Sequence, residues 1–232
     1  MKKLLGILSL SIFSYFPLQA QIAQNNVNTL NDISFFVNVN NSKYQDAEGT
    51  KYIDDTFIPA NINDIKKTFP VRFDVVDNIM EFKENSQEIM GISPTRDYRI
   101  EFSDGSNRIF TSKTIINEEG DLQRLFLEEI KVSSTYSLYI RKRIKFQPAK
   151  PAKSSYEPET PAVFRKMSDL FYVDYPDDSI DYLLQIPKNR KKAKLFFGDL
   201  GSDILKFAKK ESLKFDSQKD LIKILNQYTQ SK

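Results

Sequence analysis

The chain has no cysteine, no histidine and no tryptophan, and only 7 glycines among 232 residues. Without Cys there is no disulfide, so the fold must hold by burial alone, and 18 Phe with 11 Tyr supply large side chains for it. Without His, the Ser-His-Asp triad, the Cys-His nucleophile and every His- or Cys-ligated metal site are excluded. Gly6, Gly49, Gly91, Gly105, Gly120, Gly198 and Gly201 stand too far apart to form a Walker loop or a dinucleotide fingerprint. No Ser is followed three residues later by Lys, which removes that nucleophile-base dyad too. Charge of one sign is also lacking. With 34 Lys and Arg against 31 Asp and Glu the net charge is +3, which gives no general field towards nucleic acid or anionic lipid. The residues imply no cofactor.

What is present begins with an address. Lys2 and Lys3 precede an apolar run over residues 4–16, and Pro17-Leu18-Gln19-Ala20 leads to a cleavage point before Gln21. The run falls short of the roughly 20 apolar residues of a spanning helix. The pattern predicts export with removal of residues 1–20, to the periplasm or beyond. No Cys follows the cut, so a lipoprotein anchor is not expected, and no later segment has the purity of a membrane span.

Residues 21–31 are rich in Asn and Gln and read as a loose leader, with a first strand over 33–39 closing a segment that ends near residue 48. Residues 49–186 read as one antiparallel β domain. Tyr98, Ile100 and Phe102 alternate with Arg99, Glu101 and Ser103, and Asp104-Gly105 supplies a turn. A two-residue turn there sets Glu101 opposite Arg108, Ile100 opposite Ile109 and Tyr98 opposite Thr111. The same logic at Asp77-Asn78 pairs Phe73 with Phe82 and Val75 with Met80. It also sets Asp74 against Glu81, a like-charge apposition that needs water or a nearby Lys or Arg.

Further strands are expected over 114–117, 122–132 and 136–146, with a last hairpin from 162–166 and 170–173. The loop 147–161, holding Pro148, Pro151, Pro158 and Pro161, reads as extended and exposed. From Pro187 the period becomes helical. Ala193, Phe196, Phe197 and Leu200 share a face, Gly198 ends that helix, and Ser202 caps a second. Ser217 caps a third, striped by Leu221, Ile224, Leu225 and Tyr228. The expected fold class is α+β: a curled antiparallel sheet or partly closed barrel with short helices over 187–232.

Three candidate sites follow. Asp174, Asp177, Asp178 and Asp181 surround Pro176, but Ser179 and Gln185 stand where a Ca²⁺ loop needs Gly and Glu, so a solvated acidic turn is expected. The doublets Asp54-Asp55, Glu118-Glu119 and Glu128-Glu129 point to opposite faces of any strand and do not pair for acid/base work. The most directional feature is the face carrying Tyr139, Arg141, Arg143 and Lys145, with Lys150 and Lys153 beyond it. It suits an acidic polymer, with Tyr139 stacking on a ring. The near-neutral net charge gives no wider field, so the expected reading is an edge strand that its cations keep from aggregating.

The run Gly49-Thr50-Lys51-Tyr52-Ile53-Asp54-Asp55-Thr56-Phe57, the hairpin Val71-Arg72-Phe73-Asp74 to Met80-Glu81-Phe82 and the tail 215–228 resemble exported proteins widespread in the Bacteroidetes. Those proteins tend to carry Pro at the place of Lys51 and Tyr-Asn at the place of Phe73-Asp74. The resemblance implies export and carries no catalytic residue across. Three functions are left open: a non-enzymatic envelope module that binds or scaffolds another protein, a carrier of an apolar ligand in the curl of the sheet, and a carboxylate-dependent hydrolase. Expected partners are another envelope protein or an apolar ligand, and not nucleic acid.

Overall fold

The computed structural model describes residues 36–39, 42–83, 88–134, 136–152, 158–174 and 181–231; the leader, Ile33 to Phe35, Asp177 and Asp178 lie outside them. Eleven strands form one antiparallel sheet in the order β1-β5-β4-β3-β2-β6-β7-β8-β9-β12-β13, and β10 with β11 forms a separate two-stranded ribbon. Their bounds are β1 Phe36–Asn38, β2 Ile58–Ile62, β3 Thr68–Asp74, β4 Ile79–Lys83, β5 Ile89–Ile92, β6 Arg99–Phe102 and β7 Ile109–Ile116. They continue with β8 Leu122–Lys131, β9 Ser137–Arg141, β10 Ile144–Gln147, β11 Val163–Lys166, β12 Leu170–Val173 and β13 Leu184–Gln185. Three helices follow: α1 Arg190–Phe196, α2 Gly201–Lys210 and α3 Gln218–Gln230. The architecture is α+β, with a curled, open sheet and a helical C-terminal end.

One face of the sheet is apolar from β5 to β12, because alternate residues stay in step across each pair: Ile92, Met80, Phe73, then Ala60, Phe102 and Phe110, then Phe126. The curl closes on these side chains. Phe69, Phe82, Phe110 and Phe126 are almost wholly buried. Phe73 meets Phe110 at 5.0 Å and Phe126 at 6.4 Å, and Phe69 meets Phe82 at 6.0 Å between ring centroids. Such pairs add about 0.5–1.5 kcal/mol each beyond area burial.

Farther along the same face Leu138, Ile140, Phe171 and Val173 are covered by the helices, through Ala193, Phe197, Ile204, Leu221, Ile224 and Leu225. The stripe of α3 is thus docked, as its spacing predicts, and the Tyr228 ring lies 5.1 Å from Phe197 and 5.8 Å from Tyr136. On the opposite face Leu125, Leu127 and Ile115 pack with Tyr139, Tyr172 and Leu183. Leu125 and Leu127 on one side of β8 and Phe126 and Ile130 on the other are therefore consumed by packing, while Leu122 at its start stays exposed.

Several local expectations change. Between β3 and β4 the pairing is Val71 with Phe82, Arg72 with Glu81 and Phe73 with Met80, two residues from the predicted register. The turn takes four residues, 75–78, because Asp74 Oδ1 accepts from the Val76 and Asp77 amides at 3.0 Å each and Asn78 adopts φ +52°. A shift of two preserves faces, and it replaces the Asp74–Glu81 clash by an Arg72–Glu81 pair.

Between β6 and β7 the slip is one residue: Ile100 pairs with Phe110 and Glu101 with Ile109. The loop spans residues 103–107, closed by the Phe102 amide on the Arg108 carbonyl at 2.9 Å. A one-residue slip turns Phe110 into the core in place of Ile109. Arg108 consequently pairs with Asp54 and Asp104, and Glu101 with Arg99.

The predicted strand 114–117 is the end of β7, and 136–146 is broken into β9 and β10. Arg141 pairs with Leu170, and Ile144 with Lys166, so Lys142-Arg143 faces the three residues 167–169. This is a bulge that bends the ribbon. It also corrects the last hairpin: β11 pairs with β10 and β12 with β9. The bent arm lies on the segment before β2, where Tyr44 meets Phe146 at 5.0 Å and Phe164 at 5.3 Å.

At the helices, Gly198 ends α1 with φ +56° and Ser217 caps α3 through the Asp220 amide. Ser202 does not cap α2, which starts at Gly201. A Cβ at Gly201 would lie 1.9 Å from the Lys194 carbonyl oxygen, so only glycine lets α2 approach the end of α1.

Candidate functional site

The bend between β9 and β10 places a groove of about 840 Å³ against β8 and the β3–β4 turn. Its walls carry Arg124, Arg141, Lys142, Arg143 and Lys145 against two carboxylates, Asp77 and Glu118. Three of the four residues of the predicted basic face are thus together here. Tyr139 is not. It is 4 % exposed among Leu125, Leu127 and Tyr172, and has no open ring face to stack on a ligand. Burial pushes its hydroxyl well above the usual phenol range. Lys142 and Arg124 are additions that the strand face did not reveal: Lys142 enters through the bulge, and Arg124 comes from the preceding strand, β8.

These cations are held to different degrees. Lys142 Nζ lies 2.8 Å from Glu128 and 3.2 Å from Asp169. Burial works to lower its pKa, but the two carboxylates outweigh it and raise it, so Lys142 stays charged. Arg143 makes a looser contact of 3.5 Å to the exposed Glu118. Arg124 pairs with Asp97, and Arg141 lies against the Tyr172 hydroxyl, whose pKa burial raises although Arg141 opposes it. Among the described residues no carboxylate forms a salt bridge with Arg141 or Lys145. Asp77, the acid on the opposite rim, is committed to Lys43 and the Tyr44 hydroxyl, each at 2.8 Å; these outweigh burial and keep its pKa low. The groove is accordingly cationic.

A second polar cluster is buried on the outer face of β3 and β4. Glu81, wholly buried, accepts from Arg72 Nε at 2.7 Å and the Tyr52 hydroxyl at 3.1 Å, and Lys51 Nζ stands 3.5 Å away. Lys51 also pairs with Asp74. Arg72 stacks 3.8 Å from the Tyr52 ring centroid. Every charge here has an opposite partner and a hydrogen bond, as burial demands. The Lys51 carbonyl accepts from the Val75 amide at 2.9 Å, so the cluster fastens residues 51–53 to the sheet. We read it as a lock rather than a reactive centre. The sequence signalled it only through the like-charge apposition of Asp74 and Glu81.

Of the acidic doublets only Glu128-Glu129 lies on a strand, where it splits between the two faces; Asp54-Asp55 sits in a bend and Glu118-Glu119 in a turn. Glu128 reaches Lys142, whereas Glu129 turns to Arg99 at 3.0 Å and to Ser137. Asp54 pairs with Arg108, while Asp55 accepts from Thr50. Of the Asp174 group, Asp174 and Asp181 are exposed beside Lys113 and Arg124, and no metal-ligating cluster occurs among the described residues. No helix among them is long and apolar enough to cross a membrane. Comparison with family models, curated proteins and solved structures finds no match for this chain.

Proposed function

We propose that the chain is an exported, non-enzymatic binding module of the cell envelope, working in the periplasm or outside the cell, and that it holds another envelope protein in the basic groove. One observation carries this reading: Arg124, Arg141, Lys142, Arg143 and Lys145 converge from separate elements on one open groove, held by a bulge and a fixed turn. Side chains held by rigid elements lose less entropy on binding, which favours a specific partner. The carrier alternative needs an emptied curl, and rings in mutual contact occupy it. A scaffold working through a free amphipathic tail needs an unoccupied α3 stripe, and that stripe is buried.

The test uses protein from its native cell, carrying a photo-crosslinking residue in place of Lys145 or, as control, of Lys223. N-terminal sequencing should begin at or near Gln21, and illumination should give a protein adduct from position 145 alone. A mature form retaining Met1, or no adduct at 145, refutes the reading, and stoichiometric lipid in native mass spectrometry would then point to the carrier.

A further inference from the structure

Resting on the reading of the chain as a binding module, we propose that the groove receives an extended acidic peptide segment of the partner, which adds as a strand to the open edge of β8. β8 runs from Leu122 to Lys131, but β9 pairs with it only from Glu128 onward. Over residues 122–127 the edge turned away from β7 is not paired with β9, and Gln123, Arg124 and Leu125 of this stretch line the groove. Its direction is fixed by one contact. The Phe126 amide donates to Asn78 Oδ1 at 2.8 Å, and the Phe126 carbonyl accepts from Asn78 Nδ2 at 3.2 Å, so both backbone groups point into the gap. In an antiparallel pair this orientation repeats every second residue. Arg124 and Leu122 therefore present their N–H and C=O on the same side. The Asn78 amide makes on Phe126 the donor-and-acceptor pair that an incoming peptide group would make on Arg124.

The charge on the walls selects the occupant. An added strand on Arg124 lies beneath Arg141, Arg143 and Lys145, and alternate carboxylates along it would meet these cations. A second copy of β8 is disfavoured, because it would bring a further set of the same cations to the groove rather than carboxylates to meet them. An apolar strand would leave the cations desolvated and unpaired. The same cations and the Asn78 plug guard the edge against indiscriminate pairing, so a free edge and a selective one are compatible.

The probe is a fluorescein-labelled ten-residue peptide of alternating Glu and Thr, read by anisotropy on the mature chain. A Lys/Thr peptide and a heparin oligosaccharide are the comparisons. The Glu/Thr peptide should bind with an affinity that falls as salt rises, and the Lys/Thr peptide should not bind. Arg124→Ala removes the guanidinium only, whereas Arg124→Pro also removes the edge N–H at a position where an edge strand tolerates proline. The proline variant should bind about 3- to 10-fold more weakly than the alanine variant.

Hydrogen exchange on the unaltered chain provides the same answer without a variant: the Leu122 and Arg124 amides should gain protection with the Glu/Thr peptide. Equal affinities for the two variants without such protection overturn strand addition, as does heparin binding tighter than the peptide. A protein adduct at position 145 without edge protection removes this inference alone; absence of any adduct removes the module itself.

Discussion

Replacing Lys51 by Met tests whether the buried charge cluster is a lock. The ammonium sits between Asp74 and Glu81, with Lys51 and both acids almost wholly buried. At an effective dielectric of about 20, a contact of 3.5 Å such as that to Glu81 is worth about 5 kcal/mol of attraction. Relief from desolvating the ammonium cancels part of this, and breaking a buried pair from one side costs about 3–5 kcal/mol net. Asp74 keeps its two backbone donors and Glu81 keeps Arg72, which sets the expectation at the lower end, about 3 kcal/mol. Lys206→Ala, which breaks the exposed Lys206–Asp203 pair, is the control, and should cost no more than about 0.5 kcal/mol.

The pH dependence follows from Asp74. Burial holds its carboxyl above the ordinary value of 3.8, while Lys51 and the Asp77 amide oppose that shift. A carboxyl raised by folding contributes stability below its unfolded pKa and loses it as pH climbs through the folded value. Removing Lys51 raises the folded value further. The deficit of Lys51→Met should thus be larger at neutral pH than near the ordinary carboxyl value of 3.8. Urea melts of both variants between about pH 7 and about pH 4 measure it. A deficit under about 1 kcal/mol at neutral pH, or one that does not change with pH, refutes the reasoning.

In urea melts Leu225→Ala should lose about 2–5 kcal/mol, because the side chain is 1 % exposed against the sheet, whereas Lys223→Ala on the outer face of α3 should change stability by no more than about 0.5 kcal/mol. Gly201→Ala forces a Cβ to within 1.9 Å of the Lys194 carbonyl oxygen, so α1 and α2 must part; the melting temperature should fall clearly, by more than for Ser202→Ala, whose side chain caps nothing.

Periodicity made the elements legible, and loops decided how they met. Leu125, Leu127 and Glu129 against Phe126, Glu128 and Ile130 is a pattern of period two, and β8 keeps it. The stripe Leu221, Ile224, Leu225, Tyr228 has the helical period, and α3 buries all four. Register has no such local signal. At β3–β4 the Asp74 cap lengthened the turn by two residues and the faces survived; at β6–β7 the loop 103–107 gave a slip of one and changed which residues of β7 are inside. Both turns contain the residues that announce a turn, Asn78 and Asp104-Gly105, but those residues do not state how many neighbours join them.

The groove was half legible for a related reason. The apolar face Leu138, Ile140, Ile144 and Phe146 is interrupted only at Lys142, which marks the place of the break, but nothing local reveals that Lys142-Arg143 faces three residues, 167–169, far along the chain. That bulge diverts Arg143 and Lys145 from the Tyr139 face towards β8. The polar face of a strand can be read from one segment, but its neighbours depend on the partner strand: β12 buries Tyr139 under Tyr172, while the bend leaves Arg141, Arg143 and Lys145 at an opening. Arg124 had no signal in its own segment, since its relation to the other cations is set by the pairing of β8 with β9 and by the bend that follows Arg141. A groove assembled by pairing and bending is thus written in the charges of each strand and in the contacts that set the bend, and only the charges can be read one segment at a time.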